Sequence, residues 1–443
     1  MASTKDVIIR LLRNLGTRKE VEQYLKQYSA VDSQKFAIVK VGGNILARDL
    51  DGLASSLTFL QNVGLYPVVL HGAGPQIDAA LAEAAVPSQR LGGVRVTTPR
   101  VLEIARRVTL RENLRLVEAL EELGTRARPV TSGVFEAEIV DADRFGLSGR
   151  VVKIHDGPLQ SSLRAGHLPI LTCFGETASG QIVNLGSDGA VRELAVATQP
   201  YKMIFLTETG GLLGEDGRVI SAVNLAEDYD FLMEQPWVHS GMRSKLQEIK
   251  ILLEGLPPAS SASITSPDHL AKELFTHTGS GTLVRRGERV DRFDTLETID
   301  RERLRALLEA CFRRALDSDY FDKKSFYRVY LSEAYTATAI ITRGHDLPPY
   351  LDKFAVTTQA QGAGVGGSLW QRMKAENPKV FWRSRAANEI NPWYFQQADG
   401  SYRSGAWTVF WYGLDGFDEI RTCVDHALSL PATLHEHGTV EVG

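Results

Sequence analysis

Residues 350–373 read YLDKFAVTTQAQGAGVGGSLWQRM, and the order of residue types within them decides the architecture of the C-terminal part of the chain. A β-branched and aromatic run stops at Thr358, a glycine-studded loop follows, and the loop opens directly into an amphipathic helix. Gln359-Ala360-Gln361-Gly362-Ala363-Gly364 has the form Q/R-x-x-G-x-G/A. Such a loop points consecutive backbone N–H groups at one spot, before a helix N-terminus whose partial positive charge favours phosphate. Gly362, Gly364 and Gly366 have no Cβ, so a diphosphate can lie against the main chain beside Gln359. Around this turn, 327–332, 335–344, 353–358, 380–385 and 407–413 read as five strands broken by polar turns and helices. That is an α+β unit.

The rest of the chain is of another kind. From Lys35 to about Ala195 short apolar runs alternate with amphipathic stretches, and FAIVKVGG (36–43) and YPVVLHGAG (66–74) both end in glycine turns. Between them 53–64 has helical spacing and a glycine stop. Strand–loop–helix alternation predicts a parallel or mixed sheet with helices on both faces. Residues 202–220 supply another buried strand and a hairpin-like turn at Asp216-Gly217, and 281–287 the last strand of this unit. An amphipathic helix at 299–315 belongs to a new unit, so the boundary falls near 286–295: residues 1–290 form one domain and 291–443 the other. Two domains suit 443 residues.

Composition excludes several classes. Hydrophobic residues make up 43% and charged residues 23%, ordinary for a globular protein, and a formal charge of −4 gives no reason to invoke nucleic acid or an acidic membrane. No apolar run reaches the length of a membrane span. Cys173, Cys311 and Cys423 are widely spaced with no ligand-spaced histidine, which predicts buried thiols in a reducing cytoplasm and no metal site. Residues 1–28 contain Asp6, Glu20 and Glu22 and lack a long apolar core, so they read as a helix rather than a targeting signal.

Four pieces upstream converge on phosphoryl chemistry. Lys40 ends the first strand, followed by Gly42, Gly43 and Asn44. His71-Gly72-Ala73-Gly74-Pro75 ends the second. Asn184-Leu185-Gly186-Ser187-Asp188 precedes one helix, and Gly241-Met242-Arg243-Ser244-Lys245 opens another. Two glycine loops at strand ends give backbone donors for phosphate and carboxylate oxygens, and two ammonium groups neutralise charge spreading over a transferred phosphoryl group. Asp188 can orient both lysines and hold them protonated. There is no G-x-x-x-x-G-K-[ST].

In this order the motifs resemble the amino-acid-kinase family, specifically N-acetylglutamate kinase, over about residues 30–285. The resemblance implies a carbamate-kinase-like three-layer αβα fold. It makes Lys40 and Lys245 the transition-state lysines, and Gly42, Gly43, Gly72 and Ala73 the loops around the phosphoryl group and substrate. Arg95 grips a carboxylate of acetylglutamate, Asn184 binds substrate and Asp188 orients lysine, while 206–211 (LTETGG) lies on the nucleotide side. Three departures stand out: Ala73 replaces a glycine and crowds its loop, Gly186 replaces an asparagine, and Glu208 replaces an aspartate.

Residues 350–414, with FWRSR and N-x-I-N-P-W-Y-F, resemble GNAT acetyltransferases and more narrowly the synthase domain of the N-acetylglutamate synthase family. The implied reaction is attack of the glutamate α-amine on the thioester of acetyl-CoA, bound through Gln359, Gly362, Gly364 and Gly366. By resemblance Lys353 and Arg383 bind the glutamate carboxylates, with Arg385 a competing clamp on the same face of its strand. Asn388 holds substrate or orients its amine, and Tyr394 protonates the departing thiolate.

Together the resemblances imply two activities of arginine biosynthesis on one chain, with acetyl-CoA and ATP with Mg²⁺ as co-substrates and L-glutamate and N-acetyl-L-glutamate as substrates. One alternative is a monofunctional synthase whose kinase-like domain is a silent arginine-binding regulator; another is a kinase with an inactive GNAT appendage. The resemblance also implies feedback by L-arginine, held between the N-terminal helix and 269–282 with Glu273 on its guanidinium, and a homo-oligomer, dimer or tetramer.

Overall fold

The computed structural model describes residues 36–257, 260–275, 280–344, 346–358, 360 and 365–436. The expected N-terminal helix over 1–28 and the loop residues Gln359, Gly362 and Gly364 lie outside the described residues. The chain divides into two compact units between Arg286 and Gly287, with Asn224–Phe231 packing in the second unit.

The first unit is built on an eight-stranded sheet ordered Ala222–Asn224, Thr282–Arg285, Ser261–Thr265, Lys202–Leu206, Ala37–Val41, Val68–His71, Leu168–Leu171, Ala127–Val130. The six strands from Ser261–Thr265 to Ala127–Val130 run parallel, and Thr282–Arg285 is antiparallel. Central parallel strands are covered on both faces, hence their continuous apolar composition. Val39, Val41, Ile204 and Leu206 share one face with Leu53, Leu57 and Leu60 of the Leu50–Asn62 helix. Alternation then sends Lys40 to the opposite face. The first two strands end at adjacent positions, Val41 beside His71, so both glycine loops leave the sheet at one edge. A small closed barrel of Ile182–Leu185, Ser148–Ile154, Phe135–Ile139 and Phe174–Glu176 was not read from sequence.

The second unit is a seven-stranded sheet: Val290–Phe293, Phe326–Ser332, Ala337–Thr342, Tyr350–Val356, Val380–Arg385, Trp407–Tyr412, Gly400–Ser404. Its two edge strands add to the five expected. Pairing between Tyr350–Val356 and Val380–Arg385 covers only Tyr350 with Phe381 and Leu351 with Trp382, after which the two parallel strands pair no further. The first of these strands runs on past that opening to Val356, ahead of the glycine loop in sequence. A register shift opposite Ile340–Ile341 makes Asp352 an extra residue in its strand. Leu351, Phe354 and Val356 therefore lie with one apolar cluster, while Tyr350 and Ala355 lie with two others. The bulge puts neighbours Asp352 and Lys353 on one face, which strict alternation forbids.

Candidate active sites

Lys40 is held at the end of the first strand by an ion pair with Asp188, in the first turn of the Ser187–Thr198 helix. Burial pulls the Lys40 pKa down to about 8; Lys245 acts in the same direction and Glu248 against it. Lys245, on the Ser240–Glu254 helix, is likewise lowered by burial and supported by Glu248 one turn on. The structure thus brings both lysines together. Asp188 pairs directly with Lys40; Glu248, exposed and three residues after Lys245, acts to raise the pKa of both lysines through space without an ion pair to either, a contribution that sequence spacing alone does not reveal.

Gly42 caps the Gly43–Arg48 helix. A Cβ on Gly43 would come 2.7 Å from Gln76 Oε1 and 2.8 Å from Pro75 Cδ, so this glycine is required for the two loops to approach. Ala73 does not crowd its loop as expected. It caps the Gly74–Glu83 helix at φ −136° and belongs to the apolar cluster of Ile77, Leu81 and Val101. Gly186 caps the Ser187–Thr198 helix, and Gly72 would have a Cβ only in ordinary contact with Ser187. His71 is fully buried, its Nε2 3.0 Å from Asn113 Nδ2, and burial depresses its pKa to about 4, so it is neutral at the base of the loop.

Arg95 Nη1 donates to Asp78 Oδ1 at 2.5 Å and Ser88 Oγ at 2.6 Å, while Nη2 is buried with no hydrogen-bond partner among the described residues. A buried guanidinium nitrogen without an acceptor is costly alone and suits an incoming carboxylate. Asn184 Nδ2 donates to Thr97 Oγ1 (3.2 Å), and Ser148 Oγ donates to Arg95 O (2.5 Å), tying Asn184 and Arg95 through one buried network. Glu208, on the expected nucleotide side, accepts from Arg48 at 3.1 Å.

In the second unit Tyr394 lies on the Asn391–Gln397 helix with its ring against Trp382 (5.4 Å) and Phe410 (5.5 Å). Burial raises its pKa, and its hydroxyl has no hydrogen-bond partner among the described residues. Such a phenol stays protonated and has a proton to give. Asn388 Nδ2 donates to Ser384 Oγ (3.0 Å). Gly366 sits within the Val365–Glu376 helix, where a Cβ would lie 3.0 Å from Val356 Cγ2; its part is close helix–strand packing beside the loop.

Lys353 and Arg383 are both occupied. Lys353 Nζ donates to Asp352 Oδ2 (2.6 Å) and Thr433 Oγ1 (2.9 Å). Arg383 donates to the carbonyls of Ala427 (2.8 Å), Leu430 (2.7 Å) and Pro431 (2.8 Å), over the Trp407 ring at 4.1 Å. Arg385 is exposed with its guanidinium 4.7 Å from the same ring. Both arginines therefore share a face, and Arg385 is the less committed. Among the described residues no group of histidine, cysteine and carboxylates could hold a metal ion, and no helix is long and apolar enough to cross a membrane.

The amino acid kinase family matches residues 35–258, and the N-acetyltransferase of N-acetylglutamate synthase matches residues 290–429. The chain belongs to the amino acid kinase family and carries behind that domain the acetyltransferase domain of the synthases. It is 50% identical over 424 residues to the acetylglutamate kinase of Xanthomonas campestris, covering 95% of this chain and 100% of that one. It is 34% identical over 426 residues to human mitochondrial N-acetylglutamate synthase, covering 94% and 77%. Neisseria gonorrhoeae N-acetylglutamate synthase, solved with coenzyme A and N-acetylglutamate, shares the fold: TM-score 0.61 at 20% identity, over 89% of this chain and 98% of that one. The same synthase solved with coenzyme A and L-arginine gives 0.56 at 21% identity, over 88% and 97%.

Proposed function

We propose that the chain performs two successive transfers of arginine biosynthesis: acetylation of the glutamate α-amine by acetyl-CoA, within 291–443, and ATP-dependent phosphorylation of the side-chain carboxylate of N-acetylglutamate, within 1–290. The order is chemically sensible, because the acetyl group keeps the amine from attacking the acyl phosphate made second. The observation that carries the kinase half is the convergence of Lys40 and Lys245, with Asp188 and Glu248, at the edge where both glycine loops leave the sheet. A silent regulator has no need to hold two half-buried lysines close enough for the charge of one to disfavour that of the other. Lys40 and Lys245 neutralise the transferred phosphoryl group, Gly42, Gly43, Gly72 and Ala73 offer backbone donors, and Arg95 and Asn184 hold the acetylated substrate. Mg²⁺ would come with ATP as co-substrate and add its charge to that of Lys40 and Lys245 against the transferred group. In the second transfer site Tyr394 protonates the leaving thiolate, Asn388 orients the amine, and Lys353, Arg383 and Arg385 give the carboxylate side its charge.

Both halves are tested by one pair of variants in the intact chain. Lys245→Ala is expected to lower acetylglutamate phosphorylation on the order of 10²–10³-fold and leave acetyl transfer unchanged. Tyr394→Phe is expected to do the reverse while acetyl-CoA binding is kept. Undiminished phosphorylation in Lys245→Ala, read as ATP-dependent acyl phosphate, removes the kinase assignment.

A further inference from the structure

Asp352 is the centre of a buried charged cluster that the roles above leave unexplained. Its carboxylate accepts from Tyr320 Oη (2.6 Å), Lys353 Nζ (2.6 Å) and Lys324 Nζ (3.1 Å). Asp352 and Lys353 expose only 5% and 7% of their side chains. A lysine ammonium has three protons, and all three of Lys353 are engaged: by Asp352 Oδ2, by Thr433 Oγ1 and, at 3.3 Å, by Asp352 O. Arg383 is similarly committed to three backbone carbonyls. Lys324 differs. It spends one proton on Asp352 Oδ1, its side chain is 19% exposed, and its remaining protons have no partner among the described residues.

The charge count points the same way. Lys324 and Lys353 bring two positive charges to one carboxylate, Lys353 is drawn below its ordinary value by burial and then by Lys324 and Arg383, and the neighbouring His426 is kept toward its neutral form by burial and then by Lys324. Two lysines on one carboxylate, with the Arg383 guanidinium acting on Lys353, leave an excess of positive charge that complements an incoming carboxylate. We propose that Lys324 is a further substrate-binding residue of the acetyltransferase unit, donating to a carboxylate of glutamate while Asp352 positions it beside Lys353. This rests on glutamate being the acceptor in that unit. Lys353 contributes charge, and Lys324 supplies the unspent donor. The bulge at Asp352 makes this possible, since without it the carboxylate and Lys353 would face opposite sides of the strand.

The test uses the full chain with glutamate and its two monoamides, glutamine and the α-amide. In Lys324→Met the KM for glutamate is expected to rise on the order of tenfold or more, that for acetyl-CoA to stay, and discrimination against one of the two amides to collapse. Lys324→Arg should restore both. A merely structural lysine would lower the unfolding temperature without moving the glutamate-to-amide ratio, and Lys324→Gln repeats the measurement should the methionine variant fold poorly. Unchanged KM and unchanged ratios in a folded variant overturn the proposal. Wild-type acetyl transfer to glutamate is measured alongside: its absence would remove the acceptor reading, and calorimetric binding of glutamate to wild type and Lys324→Met would then still decide whether Lys324 binds it.

Discussion

Lys40 shows how a residue acquires chemistry from its position. It is the fourth residue of a five-residue parallel strand, so its ammonium is desolvated by the sheet and its helices, yet it meets Asp188 at the strand end. Phosphoryl transfer needs the charged form. With its pKa drawn down to about 8, the free enzyme loses that charge as pH rises through about 8, so kcat/KM for phosphorylation is expected to fall on the alkaline side there. Bound phosphates favour the ammonium, so the limb in kcat should lie at higher pH. Asp188→Asn removes a carboxylate that favours the charged form, which lowers the pKa and moves the alkaline limb of kcat/KM to lower pH. Parallel pH profiles of the two proteins check the sign, and an unmoved limb would detach Lys40 from Asp188. The two lysines were legible as motif residues; that the charge of Glu248 is felt by both was not, because it depends on how the Ser240–Glu254 helix packs.

Among elements, the glycine loops separate positions that look alike in sequence. Gly42 and Gly43 are adjacent, yet a Cβ on Gly42 meets nothing within 4 Å while one on Gly43 meets Gln76, Pro75 and the Ala73 Cα at 3.2 Å. Gly43→Ala must therefore push two loops apart, a strain of about 1–3 kcal/mol as overpacking goes, lowering both unfolding temperature and phosphorylation. Gly42→Ala is expected to fold normally and to lose phosphorylation alone, since its open space is where a phosphate would approach. Equal unfolding temperatures for the two variants would contradict the loop contact. The parallel sheet and the strand–loop–helix order were readable because periodicity and glycine stops are local. The four-stranded barrel, the edge strands Val290–Phe293 and Gly400–Ser404, and the Asp352 bulge were not. Each is fixed by pairing between distant segments, and a bulge leaves no mark in a single strand's composition. Ala73 is the converse case: the family comparison marks it as a defect, and only the apolar cluster beneath it shows where the methyl goes.

For the whole molecule, the question is whether one effector can govern two separately cored units. Glu273 is not a surface carboxylate. It is 5% exposed, and its Oε2 accepts from Ser280 N (3.2 Å) and Gly281 N (2.9 Å). Its charge also counters the burial that draws Lys202 down to about 8. Ser261, Ser263 and Thr265, on the strand beside Lys202, carry buried hydroxyls with no hydrogen-bond partner among the described residues. An amino acid bearing a guanidinium and a carboxylate would meet opposite charges there, at Glu273 and Lys202, together with unspent hydroxyls. Arginine is therefore expected to inhibit phosphorylation in the intact chain, and Glu273→Gln, which keeps an acceptor for the turn but loses the charge, to weaken that inhibition on the order of tenfold. Removing residues 1–28 should abolish it if the N-terminal segment closes the site. Binding linkage is reciprocal, so if arginine also depresses acetyl transfer by weakening glutamate binding, saturating glutamate must weaken arginine by the same factor. Titrating arginine against both activities, and measuring its Kd with and without glutamate, decides the matter. Full inhibition in both altered chains would place the effector elsewhere, and inhibition of phosphorylation alone would mean that the two units share a chain but not a control.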